Sequence, residues 1–411
     1  MMASSIIPKQ LVTLLRCKLI LNKTRLLSTG CILQYPRGNR PKVQRSRLSG
    51  YVEPVASIDD PEKETYKTQT EKKPEIKGID LELHRPVMLE EIISFFQPAE
   101  NQVYLDMTFG AGGHTKAILQ SDPSTVVYAL DRDPVAYKIA VDLAEEYRSR
   151  LHPILGRFSN VDSLLKEAGV GHGCFDGVLI DAGCSSMQFD NPERGFALSH
   201  DGPLDMRMDG ERFPSNPSAA DVVNNLDVTT LSRILKTYGE ERQAKRVASM
   251  IVNYRENQKP IESTQELATV ISFAFTHRDA ANSKDGLGRK LHVATRTFQA
   301  LRIFVNDELN ELYRGLVAIK PFVKSRGKLA VLTFHSLEDR IVKRFLQGKN
   351  VNEAGKSIHQ RKAASDWTTD EGEVKSLDWE VMNKKVLYAS EFELSENPRS
   401  RSAKLRAAYK V

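Results

Sequence analysis

Apolar positions change their rhythm along this chain, and each change predicts a different kind of element. Residues 36–80, rich in Pro, Lys, Glu, Thr and Ser, carry almost no apolar periodicity and read as a disordered linker. From Met88 to Phe96, the residues Leu89, Ile92, Ile93 and Phe96 recur at helical spacing. Short apolar runs then alternate with amphipathic stretches. Val103–Asp106 is a strand entering a glycine-rich turn and a helix, and Val126–Asp131 is a second strand. Pro134–Arg148 has Val135, Ile139 and Leu143 on one helical face; a third strand follows near His152–Leu155, and Gly177–Asp181 is apolar until its terminal carboxylate. Continuous apolar strands separated by amphipathic helices predict a parallel sheet covered on both faces.

The alternation stops at about Pro214. Helical patterns alone follow, at Ala219–Asn224, Val228–Lys236, Glu240–Arg255 and Thr264–Phe275. One long helix, Ala294–Ile319, then returns the chain to a strand at Lys328–Thr333. Residues 348–380 read as a loop, and Lys385–Ala389 with Leu405–Tyr409 as a closing antiparallel hairpin. The expected fold class is α/β: a Rossmann-like domain from 81–213 and 291–411, interrupted by an all-α insertion domain at 214–290.

Composition changes this picture at the N-terminus. The 411 residues are 40% hydrophobic and 27% charged, with a net charge of +6. Residues 1–50 hold ten Lys/Arg and no Asp or Glu, so the remainder carries 49 basic against 53 acidic residues, a net of −4. Whole-chain charge therefore gives no argument for nucleic acid. Leu11, Leu14, Leu15, Leu19 and Leu26 interleave with Arg16, Lys18, Lys23 and Arg25 in the manner of a mitochondrial transit peptide, expected over residues 1–35. The other reading of that segment is a basic arm that binds RNA. Cys17, Cys31, Cys174 and Cys184 show no C-x-x-C spacing, so no zinc site or disulfide framework is expected, and no metal site of any other kind is visible. No apolar run has membrane-spanning length.

The chemistry begins at Asp106-Met107-Thr108-Phe109-Gly110-Ala111-Gly112-Gly113-His114. Glycines at a strand-to-helix turn let backbone pass close to a ligand. Asp131, about 20 residues on, is placed to accept hydrogen bonds from the two ribose hydroxyls of a nucleotide. NAD fingerprints space their glycines as G-x-G-x-x-G, which this turn does not. It looks more like the S-adenosylmethionine loop of Rossmann-like methyltransferases, where an acidic residue such as Asp106 can act on the charged methionine end, directly or through water. Ligands of open α/β sheets sit beyond the strands' carboxyl ends, where Asp106, Asp131, Asp181 and His335 would converge.

Longer motifs then carry a specific resemblance. HRPVMLEE from His84, DMTFGAGGHT from Asp106, FDGVLIDAGCSSMQFD from Phe175, NPERGFALSHDGPLDMRMD from Asn191 and LKTYGEERQAKRVA from Leu235 are followed by three more: HVATRTFQALRIFVNDEL from His292, LTFHSLEDRIVKRF from Leu332 and ENPRSRSAKLR from Glu396. Together they resemble the MraW/RsmH family, whose members methylate the exocyclic N4 of a cytidine in small-subunit ribosomal RNA. The resemblance runs from about residue 82 to 410. It implies a class I methyltransferase sheet, S-adenosyl-L-methionine as cofactor, and small-subunit rRNA or the assembling small subunit as partner. With the transit peptide it also implies a mitochondrial matrix enzyme acting on 12S-type rRNA, in support of mitoribosome assembly. No membrane partner is implied, and monomer and homodimer both stay open.

Carried over position by position, the family's cofactor contacts fall on Gly112, Gly113, His114, Asp131, Phe158, Asp181 and Gln188. Cytosine's exocyclic nitrogen is conjugated into the ring, so methylation needs acceptors for its protons and in-line placement against the methyl donor. Asp181 is the candidate acceptor, and His335 could approach the same cleft. The family's resemblance to amino-methyltransferases stops at Gly183-Cys184-Ser185-Ser186, which lacks their Pro-Pro-aromatic loop. Cys184 stands where the family pattern usually has Val, so its thiol is dispensable; amine methylation needs no covalent adduct. Ala182 replaces the usual Leu and removes volume beside Asp181. Asp205, Arg207 and Asp209 are candidates for contacting the target base or ordering its loop.

RNA contact is expected from local basic groups: Arg194, Arg207, Arg242, Lys245, Arg246, Arg296, Arg302, Arg399, Arg401, Lys404 and Arg406. Two rivals remain at this stage. One is a catalytically silent rRNA-binding assembly factor. The other is an NAD-dependent dehydrogenase using the same turn.

Overall fold

The computed structural model describes residues 86–276, 292–349, 378–383 and 385–411. The transit peptide expected at 1–35 and the linker at 36–80 lie outside them. A first helix, α1 (Leu89–Phe96), leads into β1 (Val103–Asp106), α2 (Gly113–Ser121), β2 (Val126–Asp131), α3 (Pro134–Tyr147), β3 (Leu151–Leu155), α4 (Val161–Glu167) and β4 (Phe175–Asp181). A short α5 (Ser186–Asp190) precedes four helices: α6 (Ala219–Asn225), α7 (Val228–Tyr238), α8 (Ala244–Asn257) and α9 (Thr264–Ser272). Then come α10 (Thr295–Asn306), α11 (Glu308–Ile319), β5 (Val323–Thr333), α12 (Ser336–Leu346), β6 (Trp379–Val381), β7 (Leu387–Tyr388), α13 (Glu391–Glu396) and β8 (Lys404–Lys410).

The sheet runs β3-β2-β1-β4-β5-β8-β6, with β7 also on β8. Its first five strands are parallel, and β8 is antiparallel to β5. Side chains alternate across each strand, which builds a core on either face. Tyr104, Leu179, Ala330 and Leu332 pack with α1–α3 on one side. Leu105, Val178, Ile180, Leu329 and Val331 pack with α4, α11 and α12 on the other. The helices from α6 to α10 share a third core, which also takes in Phe196, Leu204, Met206 and Met208.

Two expectations need correction. The single helix expected over Ala294–Ile319 is broken at Asp307, which adopts a left-handed conformation (φ 51°) between α10 and α11. Asn306 explains the break: its side chain accepts from the Met208 N–H (2.8 Å) and donates to the Met206 carbonyl (2.7 Å), so the chain is held by tertiary bonds there. In addition β6 forms at Trp379–Val381, where a loop was expected, because its edge pairs with β8 and Trp379 is buried against Phe345. Among the described residues no helix is long and apolar enough to cross a membrane.

Candidate active site

A cavity of about 760 Å³ opens beyond the carboxyl ends of β1, β2, β4 and β5, large enough for a nucleoside cofactor and a second small group. The turn after β1 shapes its floor. Gly112 caps α2 at φ +82°, and a β-carbon there would meet the Phe109 ring at 2.6 Å; Gly113 lies so close to Pro86 that a β-carbon would approach its Cγ to 2.2 Å. Both positions need glycine for packing of the turn. Gly113 and His114 line the cavity, whereas Gly112 supports it from behind.

The four strand-end groups divide into two kinds. Asp106 is buried behind the turn and does not line the cavity: it accepts from the Thr115 hydroxyl (2.7 Å) and the Thr108 N–H (3.0 Å). It braces the loop, which removes the direct one of its two expected routes to the methionine end. Asp131 does line the cavity. Its oxygens accept from the N–H groups of Gly110 (2.8 Å) and Asp133 (2.9 Å), which fixes the carboxylate in orientation, and burial raises its pKa to about 6.

Asp181 and His114 face each other across the floor, with Asp181 Oδ2 3.8 Å from His114 Nε2. Both ring nitrogens of His114 and Oδ1 of Asp181 are buried without a hydrogen-bond partner. Burial lowers the His114 pKa to about 4, so the ring is neutral. Burial also raises Asp181 to about 8, and the carboxylates of Asp106 and Glu338 push in the same direction. Orphaned buried polar atoms are costly. Here the two residues that carry them line the cavity, the arrangement of a site complementary to a charged ligand.

Phe158 lines the wall beyond β3, at the side where Asp131 would hold a ribose. Gln188 also lines the cavity, but both ends of its amide are engaged: Nε2 donates to Asp133 (2.8 Å) and Oε1 accepts from the Ser185 N–H (3.2 Å). His335 caps α12. Its Nδ1 accepts from the Glu338 N–H (3.4 Å) and its Nε2 lies 2.9 Å from Glu338 Oε1. Glu338 is a residue that sequence reasoning missed. Burial works against its charge, but His335 and Arg302 outweigh that and hold its carboxyl below the usual range. Glu308, His335 and Glu338 bring ligand atoms within 4.8 Å of one another, as a cation site would. The Arg302 guanidinium takes both Glu308 oxygens at 2.8 and 2.9 Å, so positive charge is already supplied there. Cys184 lines the cavity as an inert thiol, pushed up to about 12 by burial.

Several arginines expected at an RNA surface are instead internal ion pairs. Arg194 binds Asp133, Arg207 binds Asp205, Arg302 binds Glu308 and Arg406 binds Asp339, each with a side chain no more than 20% exposed. Asp209, a candidate for contacting the target base or for ordering its loop, is buried and bound by Arg132 and by Arg157 (2.8 and 3.0 Å), which fits the second role. Arg399 is 43% exposed and pairs with Asp190 at the rim.

Known proteins resemble this chain over most of its length. Over 337 residues the chain is 53% identical to a Mus musculus protein named 12S rRNA N(4)-cytidine methyltransferase METTL15, covering 80% of this chain and 83% of that one. Its Homo sapiens counterpart of the same name is 53% identical over 338 residues, with the same coverage. The ribosomal RNA small subunit methyltransferase H of Parvibaculum lavamentivorans is 47% identical over 325 residues, covering 79% of this chain and 88% of its own. Residues 82–411 match the MraW methylase family as a whole, and the chain therefore belongs to that family.

Proposed function

We propose that this protein is an S-adenosyl-L-methionine-dependent methyltransferase acting on the exocyclic N4 of a cytidine in 12S-type small-subunit rRNA, in the mitochondrial matrix. The observation that carries the reading is the family match through residues 82–411, joined to a cavity whose floor holds unpartnered His114 and Asp181 atoms. The residues fit the cofactor. Asp131 is oriented for ribose hydroxyls, Phe158 offers an apolar face for adenine, and the polar floor suits a charged amino-acid end. When bound, the cofactor supplies an electrophilic methyl group.

The chain's own residues supply the rest. Gly113 and His114 would hold the methionine end, while Gly112 keeps the turn in shape behind them. Gln188, with both amide ends engaged, steadies α5 and the wall beside Asp133. We assign proton acceptance to Asp181, because its Oδ1 has no partner, and give His335 the role of holding Glu338 and the start of α12. A cationic ligand beside Asp181 pulls its pKa back toward the ordinary carboxylate range, which readies it to accept.

The division into a catalytic domain (81–213 and 291–411) and a helical insertion (214–290) belongs to the same proposal. A separate helical core supports it, although that core extends into Phe196–Met208 and Ala294–Phe304. The partner is the rRNA itself or the assembling small subunit. Mass spectrometry of nucleosides from mitochondrial small-subunit rRNA, with and without the protein, tests the reading. Loss of N4-methylcytidine, restored by the native chain and not by Asp181→Ala, is expected. An unchanged profile with defective subunit assembly would favour a silent RNA-binding factor.

A further inference from the structure

The cavity has a second wall that the cofactor residues do not use. It is one face of α10, where Thr295, Gln299 and Arg302 follow one another at helical spacing and all line the cavity, with Phe298 beside them. Arg302 fixes where this face sits: its Nη2 lies 3.8 Å from the position a β-carbon would take on Gly183, two residues past Asp181. The helix wall therefore stands over the loop where the reacting amine must be presented.

The polar side chains around the cavity are, for the most part, already matched to protein partners. Arg302 holds Glu308, Glu311 accepts from the Ser159 N–H, and Arg132 holds Asp209, whereas His335 Nε2 makes no hydrogen bond although it lies 2.9 Å from Glu338. Of its three carboxamides, Gln188 is engaged at both ends, and Asn397 accepts from the Arg399 N–H. Gln299 is different. It is half-buried on the wall, and among the described residues its amide makes no hydrogen bond. A primary amide presents an acceptor beside a donor. The pairing edge of cytosine presents the complement, the N4 amine beside the N3 acceptor.

We infer that Gln299 reads the flipped target base, its Oε1 accepting one N4 proton and its Nε2 donating to N3. This rests on the cytidine-N4 reading above. Phe298 and Phe334, both lining the cavity, give the base apolar surface, and the second N4 proton is left for Asp181. Gln299 thus holds the amine in place without taking a proton from it, and two points of contact fix the in-plane orientation of the ring.

The test is a cycle between side chain and base atom. The full-length protein, saturated with S-adenosylhomocysteine, is titrated with the rRNA fragment found to be methylated and with the same fragment carrying 3-deazacytidine, in which N3 is a carbon. The native protein should bind the 3-deaza fragment about tenfold more weakly. Q299A should lose about tenfold on the cytidine fragment and show no further loss on the 3-deaza one. Q299E, nearly isosteric, should lose the same contact while binding S-adenosylhomocysteine as the native protein does. Undiminished discrimination between the two fragments in Q299A would overturn the inference, as would weakened S-adenosylhomocysteine binding in both variants. If no fragment of the rRNA is methylated by the native enzyme, the function proposed above fails, and this inference with it.

Discussion

On the helical side of the cleft, buried charges are matched. Asp209 receives Arg132 and Arg157, Asp133 receives Arg194, and Glu308 receives Arg302 through two bonds. At the strand ends, a few residues away, His114 and Asp181 are buried with polar atoms that no protein group satisfies. The difference between the two places lies in what cancels the cost of burial. Matched charges hold the helical unit against the sheet and need nothing else. Unmatched ones are what a ligand would complete, and they support the reacting centre proposed above more sharply than charge density does.

The contrast can be broken most directly at Asp181. Asp181→Ala should lower methyl transfer by about 10³-fold, the range for a lost proton acceptor, with the melting temperature unchanged or raised. A comparable loss of stability would place Asp181 among the structural pairs instead. Asp209→Ala should do the reverse. It leaves Arg132 and Arg157 unmatched and should cost about 3–5 kcal/mol in denaturant unfolding; a variant as stable as the native chain would remove the distinction.

Titration gives a finer test. The groups facing Asp181 are His114, Asp106 and Glu338, and His114 stays neutral above about pH 4. A cationic cofactor prefers the ionised carboxylate, whose pKa in the free protein is about 8. Affinity measured by calorimetry should therefore rise with pH, about tenfold per unit between pH 6 and 8, and level off above. A flat profile would mean that Asp181 is not read by the cofactor.

The same raised pKa makes the native site a stability cost. As pH rises from the unfolded value of 3.8 toward about 8, the unfolded chain ionises while the folded one resists. Asp181→Asn should thus stabilise the protein at pH 7 by about 1–2 kcal/mol, a reduced figure because the carboxyl faces the open cleft. Thermal melts that show no gain would contradict the assignment. The smallest effect is expected at the rim: neutralising Arg399, Arg401 and Lys404 together should weaken RNA binding by about 3–10-fold in filter titrations and leave cofactor affinity alone.

How legible this was depended on how local the cause is. β1 and β2 were readable to the residue, because an apolar run closed by a carboxylate needs no distant partner. Asp131 and Asp181 were legible as strand ends for the same reason. Asp106 was misread since only the fold reveals that Thr115 and Thr108 enclose it. The break at Asp307 depends on Asn306 meeting Met206 and Met208, a hundred residues upstream. Basic residues were the least legible. Arg194 and Arg406 look like any solvated arginine in sequence, and only tertiary contacts reveal Asp133 and Asp339 as their partners. Gln299 carried no signal beyond lying in HVATRTFQALRIFVNDEL.

Asn306 has a consequence for how this protein can be re-engineered. With its one side chain joined to Met206 and Met208, it clasps the stretch just before the α6–α10 helices to the end of α10. A segment whose two ends meet can be exchanged like a cartridge without stretching its host. Here the cartridge would carry α6–α10, Gln299 included, while the cofactor turn and Asp181 stay behind in the holder. A chimaera cut at this clasp would transplant the surface proposed to read the nucleoside and leave the cofactor turn of the recipient in place.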